Sequence, residues 1–545
     1  MTCARPSPDR WPAVEEGGGP LPGFAYDAIE YPGHPRPQTH PDRLAAIARL
    51  HGVPAAAPSR CSYLEVGCGD ASNLFPLALA YPGSRFVGID LSGAAVERGE
   101  RMRVRLGLRN LSLQVADAST WDPGGTRYDY VCAHGFYSWV PAGVRDALLR
   151  LCRERLAPGG IAYVSYNALP GCHIRRMVWE MLRHHVRRFE EPSQRLRQAY
   201  AMLQFLEHGL IGGDAYVATV RAEIKRLLED TDPAVLFHDD LGEINEPVSV
   251  TDFVAHAQRF GLEFLAEADY SEMTEEAAPP EIAAKLRQMA EADFLAKEQY
   301  LDYLKGRRFR QSLLCRSDAP LRRTPDPAVV MALEVAGEVS SATQPMDLAP
   351  GARMQFRGVH GSALTVDHPV AKAALLEIGE RYPGAQTVAA MLACARERVG
   401  RVDPGEAGED AEALCATLLT GFRLGLVGLT CESPRFAVHA GRRPRASALA
   451  RAQLEAGSDG VTTLRSGVVR IADPVTRMLL RLLDGTRDRE ALLQDLAQRL
   501  ADDPMALPDG QPPLSAGEWR VRLGKELERG LAEALGLALL VDERE

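Results

Sequence analysis

Between residues 62 and 166 short apolar runs alternate with amphipathic ones, at a spacing of roughly 25 residues. Residues 62–66, 85–90, 111–116, 128–134 and 161–166 read as strands, and 73–80, 94–106 and 143–155 as the helices between them. Such alternation predicts an α/β fold built on a parallel sheet covered by helices. After Pro170-Gly171 the rhythm becomes helical to about residue 230, with Arg175, Arg176, Arg183, Arg187, Arg188, Arg195 and Arg197 giving it a basic character. Strand patterns return at 262–266 and 309–315 and are expected to complete a Rossmann-like seven-stranded sheet, interrupted by a helical insertion at about 172–256. That domain is expected to span 24–318, behind a Pro- and Gly-rich disordered start at 1–23.

The second half is mainly helical and carries a diverged repeat. LTVDHPVAKAALLEI (364–378) resembles VRIADPVTRMLLRLL (469–483), each a short strand, an Asp, a Pro and a helix. Each copy closes with a helix and a short apolar strand, at 417–429 and 526–541. The pattern predicts two winged-helix-like units, 351–440 and 441–545, after a proline-rich linker at 319–350.

Length and composition narrow the picture further. A chain of 545 residues exceeds one ordinary core. A net charge of −10 disfavours a nucleic-acid binder, and neither repeat copy has a dense basic helix, so protein contact is the better expectation for those units. The ten cysteines form no CxxC pair, which argues against a disulfide framework or a zinc site and suits a reducing compartment. The first 23 residues lack the apolar core of a signal peptide, and no stretch is apolar enough to span a membrane. The expectation is a cytoplasmic protein with no metal and no membrane association.

Candidate chemistry begins where the first strand, CSYLEVG, runs into Gly67-Cys68-Gly69-Asp70. Glycines there can take strained turn angles and expose backbone to a ligand at the carboxyl end of the sheet. A dinucleotide turn would have its third glycine at position 72, which is Ser72, and Glu65 at the strand end would oppose a pyrophosphate. Asp90, with Leu91 after it, ends the second strand about twenty residues on, where a carboxylate can accept from both ribose hydroxyls. Asp117-Ala118 ends the third, within reach of an adenine amino group. The set selects an adenosyl ligand with a cationic tail, S-adenosylmethionine. Singly, each of these residues reads better as a turn glycine or a helix cap; it is the whole set that points to the cofactor.

The fourth and fifth strands end in AHGFYSWVP and VSYNALPG, and both ends should border the reacting group. Methyl transfer depends on positioning and exclusion of water, which aromatic walls supply, and such walls also attract cations. Tyr137, Trp139 and Tyr166 are the aromatic candidates, against the alternative of ordinary packing at the sheet edge, and Asn167 supplies a hydrogen bond. His134 either accepts a proton or lines the pocket and orients a neighbour.

PRPQTHPDRLAAIARLHG, YLEVGCGDASNLFPLA, FVGIDLS, CAHGFYSWVP, LAPGGIAYVSYN and HDDLGEINEPVSVTDFVAHAQRFGLEFLAEADY together resemble class I S-adenosylmethionine-dependent methyltransferases with a methyltransferase regulatory domain, a group that includes rickettsial protein-lysine methyltransferases of outer-membrane proteins. The resemblance implies cofactor contacts at Glu65, Gly67, Gly69, Asp90 and Asp117, and Gln38, Thr39 and His40 folding over the cofactor as a lid. It departs at Ala71, where such turns usually carry glycine. The leading expectation is methylation of a protein amine, lysine first. The rivals are a small-molecule methyltransferase and a non-catalytic, cofactor-sensing regulator.

Overall fold

The computed structural model describes residues 29–229, 232–276, 278–359, 361–401, 403–433, 435–502 and 515–542. The disorder expected at 1–23 lies outside the described residues. Seven strands, β1 (Ser62–Val66), β2 (Arg85–Asp90), β3 (Leu111–Val115), β4 (Tyr128–Ala133), β5 (Leu156–Asn167), β6 (Leu262–Glu267) and β7 (Phe309–Arg316), form one sheet in the order β3-β2-β1-β4-β5-β7-β6. The first five pair in parallel. Strand β7 slots between β5 and β6 and runs antiparallel to both, so the sheet is mixed rather than uniformly parallel. Strand β1 has β2 on one side and β4 on the other, and this reversal of strand order opens a ligand crevice at its carboxyl end.

The helices of this part are α1 (Pro41–Leu50), α2 (Leu74–Ala80), α3 (Gly93–Arg105), α4 (Ala142–Arg155), α5 (Cys172–Val186), α6 (Pro192–Gly209), α7 (Ala215–Glu229), α8 (Val250–Arg259), α9 (Pro280–Ala292) and α10 (Phe294–Lys305). Their starts follow from capping chemistry: Ser92 accepts from Ala95 N to begin α3, and Ser249 accepts from Asp252 N to begin α8. Helices α5, α6 and α7 make the insertion, which has a core of its own in Val178, Leu182, Leu203, Val220 and Ile224.

Between β6, β7 and α10 lies a buried ionic cluster. The Arg310 side chain is fully buried; its Nη1 donates to Glu267 Oε1 at 2.7 Å, its Nε to Asp302 Oδ2 at 2.9 Å and its Nη2 to Glu298 Oε2 at 3.2 Å. Glu298 and Asp302 are 0% exposed, and burial pushes both carboxyls up despite the guanidinium.

The segment 319–350, read from the sequence as a linker, carries buried structure. Its strand β8 (Glu334–Ala336) is the centre of a small sheet, flanked by β12 (Gln386–Thr387) and β13 (Gly428–Thr430), while β9 (Ser340–Ser341), β10 (Met354–Arg357) and β11 (Ala363–Val366) form another. Val330, Leu333 and Val335 are buried there, which the surrounding prolines hid from a reading of composition. These elements share one hydrophobic core with the seven-stranded sheet. Tyr270 stacks on Phe422 with centroids 5.0 Å apart, and Tyr81 Oη donates to Glu432 O at 2.6 Å. The last unit, with β14 (Gly460–Thr462), β15 (Val468–Arg470) and helices Pro474–Leu482, Arg489–Asp502 and Ala516–Gly536, packs around a separate core.

Candidate active site

A cavity of about 780 Å³ opens at the carboxyl ends of the strands. One wall is the turn after β1. Gly67 and Gly69 have φ of +74° and +54°, in the region glycine reaches without strain. A Cβ on Gly67 would strike the Phe136 ring, whereas one on Gly69 or Gly135 would meet no protein atom within 4 Å. The backbone at 69 and 135 is therefore bare to the cavity. Ala71 also lies in the left-handed region, with φ of +63°, where its methyl group costs about 1 kcal/mol relative to glycine. The Asp90 carboxylate braces the turn: Oδ2 accepts from Gly69 N and Oδ1 from Ser92 N, each at 2.8 Å. It also lines the cavity. Asp117 Oδ1 accepts from Ser119 N and Oγ, and these bonds hold its carboxyl below the usual range.

Glu65 is buried at the floor. Its Oε1 accepts from Asn73 Nδ2 at 3.0 Å, and its Oε2 has no hydrogen-bond partner among the described residues. Burial pushes the carboxyl up to about 8, against the Asn73 bond and the charge of Arg36. A buried acid with an orphaned oxygen is suited to an ammonium group, and with the bared backbone and the Asp90 and Asp117 carboxylates it fits S-adenosylmethionine. A cation beside Glu65 would favour its ionised form. Cofactor binding at pH 7 should therefore release a proton, and affinity should rise up to about tenfold per pH unit between pH 6 and 8. Calorimetry in buffers of different ionisation enthalpy reads this directly. Equal proton release by wild type and Glu65→Gln would refute it. In the ligand-free protein the same raised carboxyl makes stability fall as pH rises from 4.5 to about 8.

Of the sequence candidates, Glu65, Gly67, Cys68, Gly69, Asp90, Leu91, Asp117, Ala118, His134, Trp139 and Asn167 all line this cavity. His134 Nδ1 donates to Tyr163 Oη at 2.9 Å, and that hydroxyl donates to Gln311 Oε1 at 2.7 Å, which leaves Nε2 as an acceptor. Burial, then the charge of Arg36, push His134 down to about 3. It stays neutral at ordinary pH and is built to orient rather than to take up a proton. Asn167 Nδ2 donates to Asn245 Oδ1 at 2.8 Å.

Five candidates sit elsewhere. Tyr137 is 2% exposed, its Oη paired with His256 Nδ1 at 2.7 Å and its ring against Phe253. Tyr166 stacks on Phe253 at 4.1 Å and bonds Ser312 Oγ. Successive side chains of β5 point to opposite faces, so Asn167 reaches the cavity and Tyr166 packs under α8. Gln38, Thr39 and His40 do not line it either. Thr39 bonds Asn73 and Arg36 O, and His40 caps α1 by accepting from Asp42 N. The covering segment comes just before them: Tyr31, Gly33, His34 and Arg36 line the cavity, and Gly33 leaves no room for a Cβ against Asp70 and Ser72. Phe136 and Phe309 replace the two tyrosines as aromatic lining. The insertion adds Arg175, Arg226, Asp239 and Ile244, which strand-end motifs could not reveal.

Three family models match the chain: a methyltransferase domain over residues 64–162, a predicted methyltransferase regulatory domain over 232–316, and the C-terminal winged helix domain of PKMT over 442–539. An uncharacterized protein of Rickettsia prowazekii is 33% identical over 299 residues, which are 55% of this chain and 54% of that one, so the match spans about half of the relative's length. A second uncharacterized protein of the same organism is 31% identical over 236 residues, 43% of this chain and 94% of its own. Among solved structures, PKMT2 from Rickettsia typhi, also known in complex with AdoHcy, superposes with a TM-score of 0.80 over 94% of this chain and 100% of its own. At 24% identity that likeness speaks for the fold.

Proposed function

Because the chain belongs to the class I S-adenosylmethionine-dependent methyltransferases with a regulatory domain and a PKMT-type winged helix, we propose that it N-methylates protein side chains, lysine above all. The observation that carries this reading is the wall facing the glycine turn. It is built by Trp139, Asn167 and the insertion, whose Arg175 and Arg226 are engaged by Asp240 and Glu223, so that an aromatic face and the Asp239 carboxylate are on offer to a cationic side chain. The accessory half, larger than a small acceptor requires, supports it.

When bound, the cofactor supplies an electrophilic methyl group. The chain's part is to hold and aim. Gly69 and Gly135 admit the ligand against bare backbone, Asp90 accepts from the ribose hydroxyls, and Asp117 and Ala118 meet the adenine. Glu65 takes the amino group, and Arg36, which the sequence reading overlooked, faces the same end of the cavity and suits the carboxylate. Neutral His134 and Asn167 align the acceptor nitrogen, while Phe136, Trp139 and Phe309 exclude water.

Incubating the protein with radiolabelled S-adenosylmethionine and a lysate of its source cell should place label in protein, recovered after hydrolysis as methyl-lysine. Label confined to small metabolites would overturn the reading.

A further inference from the structure

Resting on the lysine reading above, we propose that Asp239 is the acceptor-recognising residue, holding the ammonium of the incoming side chain at the insertion wall of the cavity. Asp239 lies on a single π-helical turn, Leu236–Asp240, a widened geometry that re-aims side chains and recurs at functional sites. The turn is pinned at its C-terminal end. Trp179 Nε1 donates to Asp239 O at 2.9 Å, and Arg175 grips the neighbouring Asp240 with Nε and Nη2 at 2.9 and 3.1 Å.

Arg175 reaches Asp239 only at 3.6 Å. Two adjacent carboxylates thus share one guanidinium, and the triad carries one net negative charge. The direction of that charge follows from exposure. The Asp240 side chain is 2% exposed and the Asp239 side chain 23%, and Asp239 is the one that lines the cavity. The cofactor contacts described above make no use of it.

The surroundings suit a compact ammonium on an apolar stem. Trp139, Val140, Val144 and Ile244 line the same cavity, and Trp139 meets Trp179 edge to face at 6.4 Å. A cation between the Trp139 ring and the Asp239 carboxylate would gain from both. Polar contacts join this wall to Asn167: Asn245 Nδ2 donates to Asp239 O at 3.5 Å and its Oδ1 accepts from Asn167 Nδ2 at 2.8 Å, and the ammonium recognised there gives its proton to solvent before the side chain attacks as the free amine.

The charged and titratable groups acting on Asp239 are Arg175 and Asp240, with Arg36 and the Tyr31 hydroxyl from the covering segment, and Arg226 and Arg308, both paired with Glu223, line the same cavity. Burial pushes the Asp239 carboxyl up to about 6, with Arg175 pulling the other way. It is therefore mostly ionised at pH 7, in a site where water screens it poorly.

The test uses n-butylamine, the lysine stem and ammonium alone, titrated into the full chain in the presence of S-adenosylhomocysteine and followed by saturation-transfer NMR. Wild type should bind butylammonium in clear preference to n-butanol. Asp239→Asn should lose at least about tenfold of that affinity while S-adenosylhomocysteine binds as before, and Asp239→Glu should keep part of the preference. If D239N does not fold, the wild-type titration still decides: butylammonium affinity should fall up to about tenfold per unit as pH drops below 6. Undiminished binding by folded D239N, a flat pH profile, or no butylammonium binding by wild type overturns the assignment. The two readings separate cleanly. If D239N methylates lysate lysines as fast as wild type, Asp239 is wrong and lysine methylation stands. If butylammonium binding depends on Asp239 but label never enters lysine, the recognition site stands and the protein acceptor falls.

Discussion

Replacing Asp90 with alanine should weaken S-adenosylmethionine binding by about 100- to 10,000-fold. Two charge-assisted hydrogen bonds to ribose hydroxyls are each worth about 1.5–3 kcal/mol, and a tenfold change in affinity corresponds to about 1.4 kcal/mol. The effect has a second source in this protein. Asp90 Oδ2 also fixes Gly69 N, so its loss loosens the turn on which the ligand rests. Asp90→Asn keeps an acceptor but loses the charge, and should fall between the two. Calorimetry on the three proteins gives the order. An alanine variant that binds as tightly as wild type would remove Asp90 from the site.

The second large effect is on stability. Arg310→Met should destabilise the fold by about 3–5 kcal/mol, because Glu267, Glu298 and Asp302 would stay buried without their shared guanidinium. The deficit should shrink in mildly acidic buffer, where the stranded carboxyls can take up protons. Burial already pushes Glu298 and Asp302 upward with the arginine in place. Urea unfolding at two pH values measures both statements, and a loss below about 1 kcal/mol would show that the cluster relaxes freely.

How far the sequence carried the picture depended on the kind of signal. Strand ends were legible because a short apolar run with an acid at or within two residues of its end, as at Glu65, Asp90 and Asp117, places that acid at the sheet's carboxyl edge. The residues expected to meet the cofactor therefore do line the cavity, Gln38, Thr39 and His40 apart. Choosing among Phe136, Tyr137 and Trp139 was a different problem. Tyr137 and Trp139 both belong to a short 3₁₀ turn that buries the tyrosine and leaves the tryptophan on the lining, a rotation no spacing rule sets. Tyr166 is turned from the cavity by strand parity, one residue away from Asn167, which lines it. Arg36 and Asp239 line the cavity but lay outside the sequence candidates for a third reason. Each is brought in from outside the strand–helix alternation, one by a proline-rich covering segment and one by a π turn in an insertion, where hydrophobic periodicity is silent.

The shared core that joins the seven-stranded sheet to the elements between residues 330 and 431 bears on how this molecule can be cut. Val330, Leu333, Met354, Val370 and Phe422 lie in the same apolar body as Leu64 and Phe264. A fragment ending near residue 318 would strip the cover from α1 and from Tyr270, and should be recovered as aggregate rather than as an independent enzyme domain. The unit beyond that body, closed on Leu480, Leu496 and Leu527, is the part organised as a separable module. What looked like catalytic domain, linker and two attachments is, by its packing, one body that carries a helical insertion with its own core and a separately packed C-terminal unit.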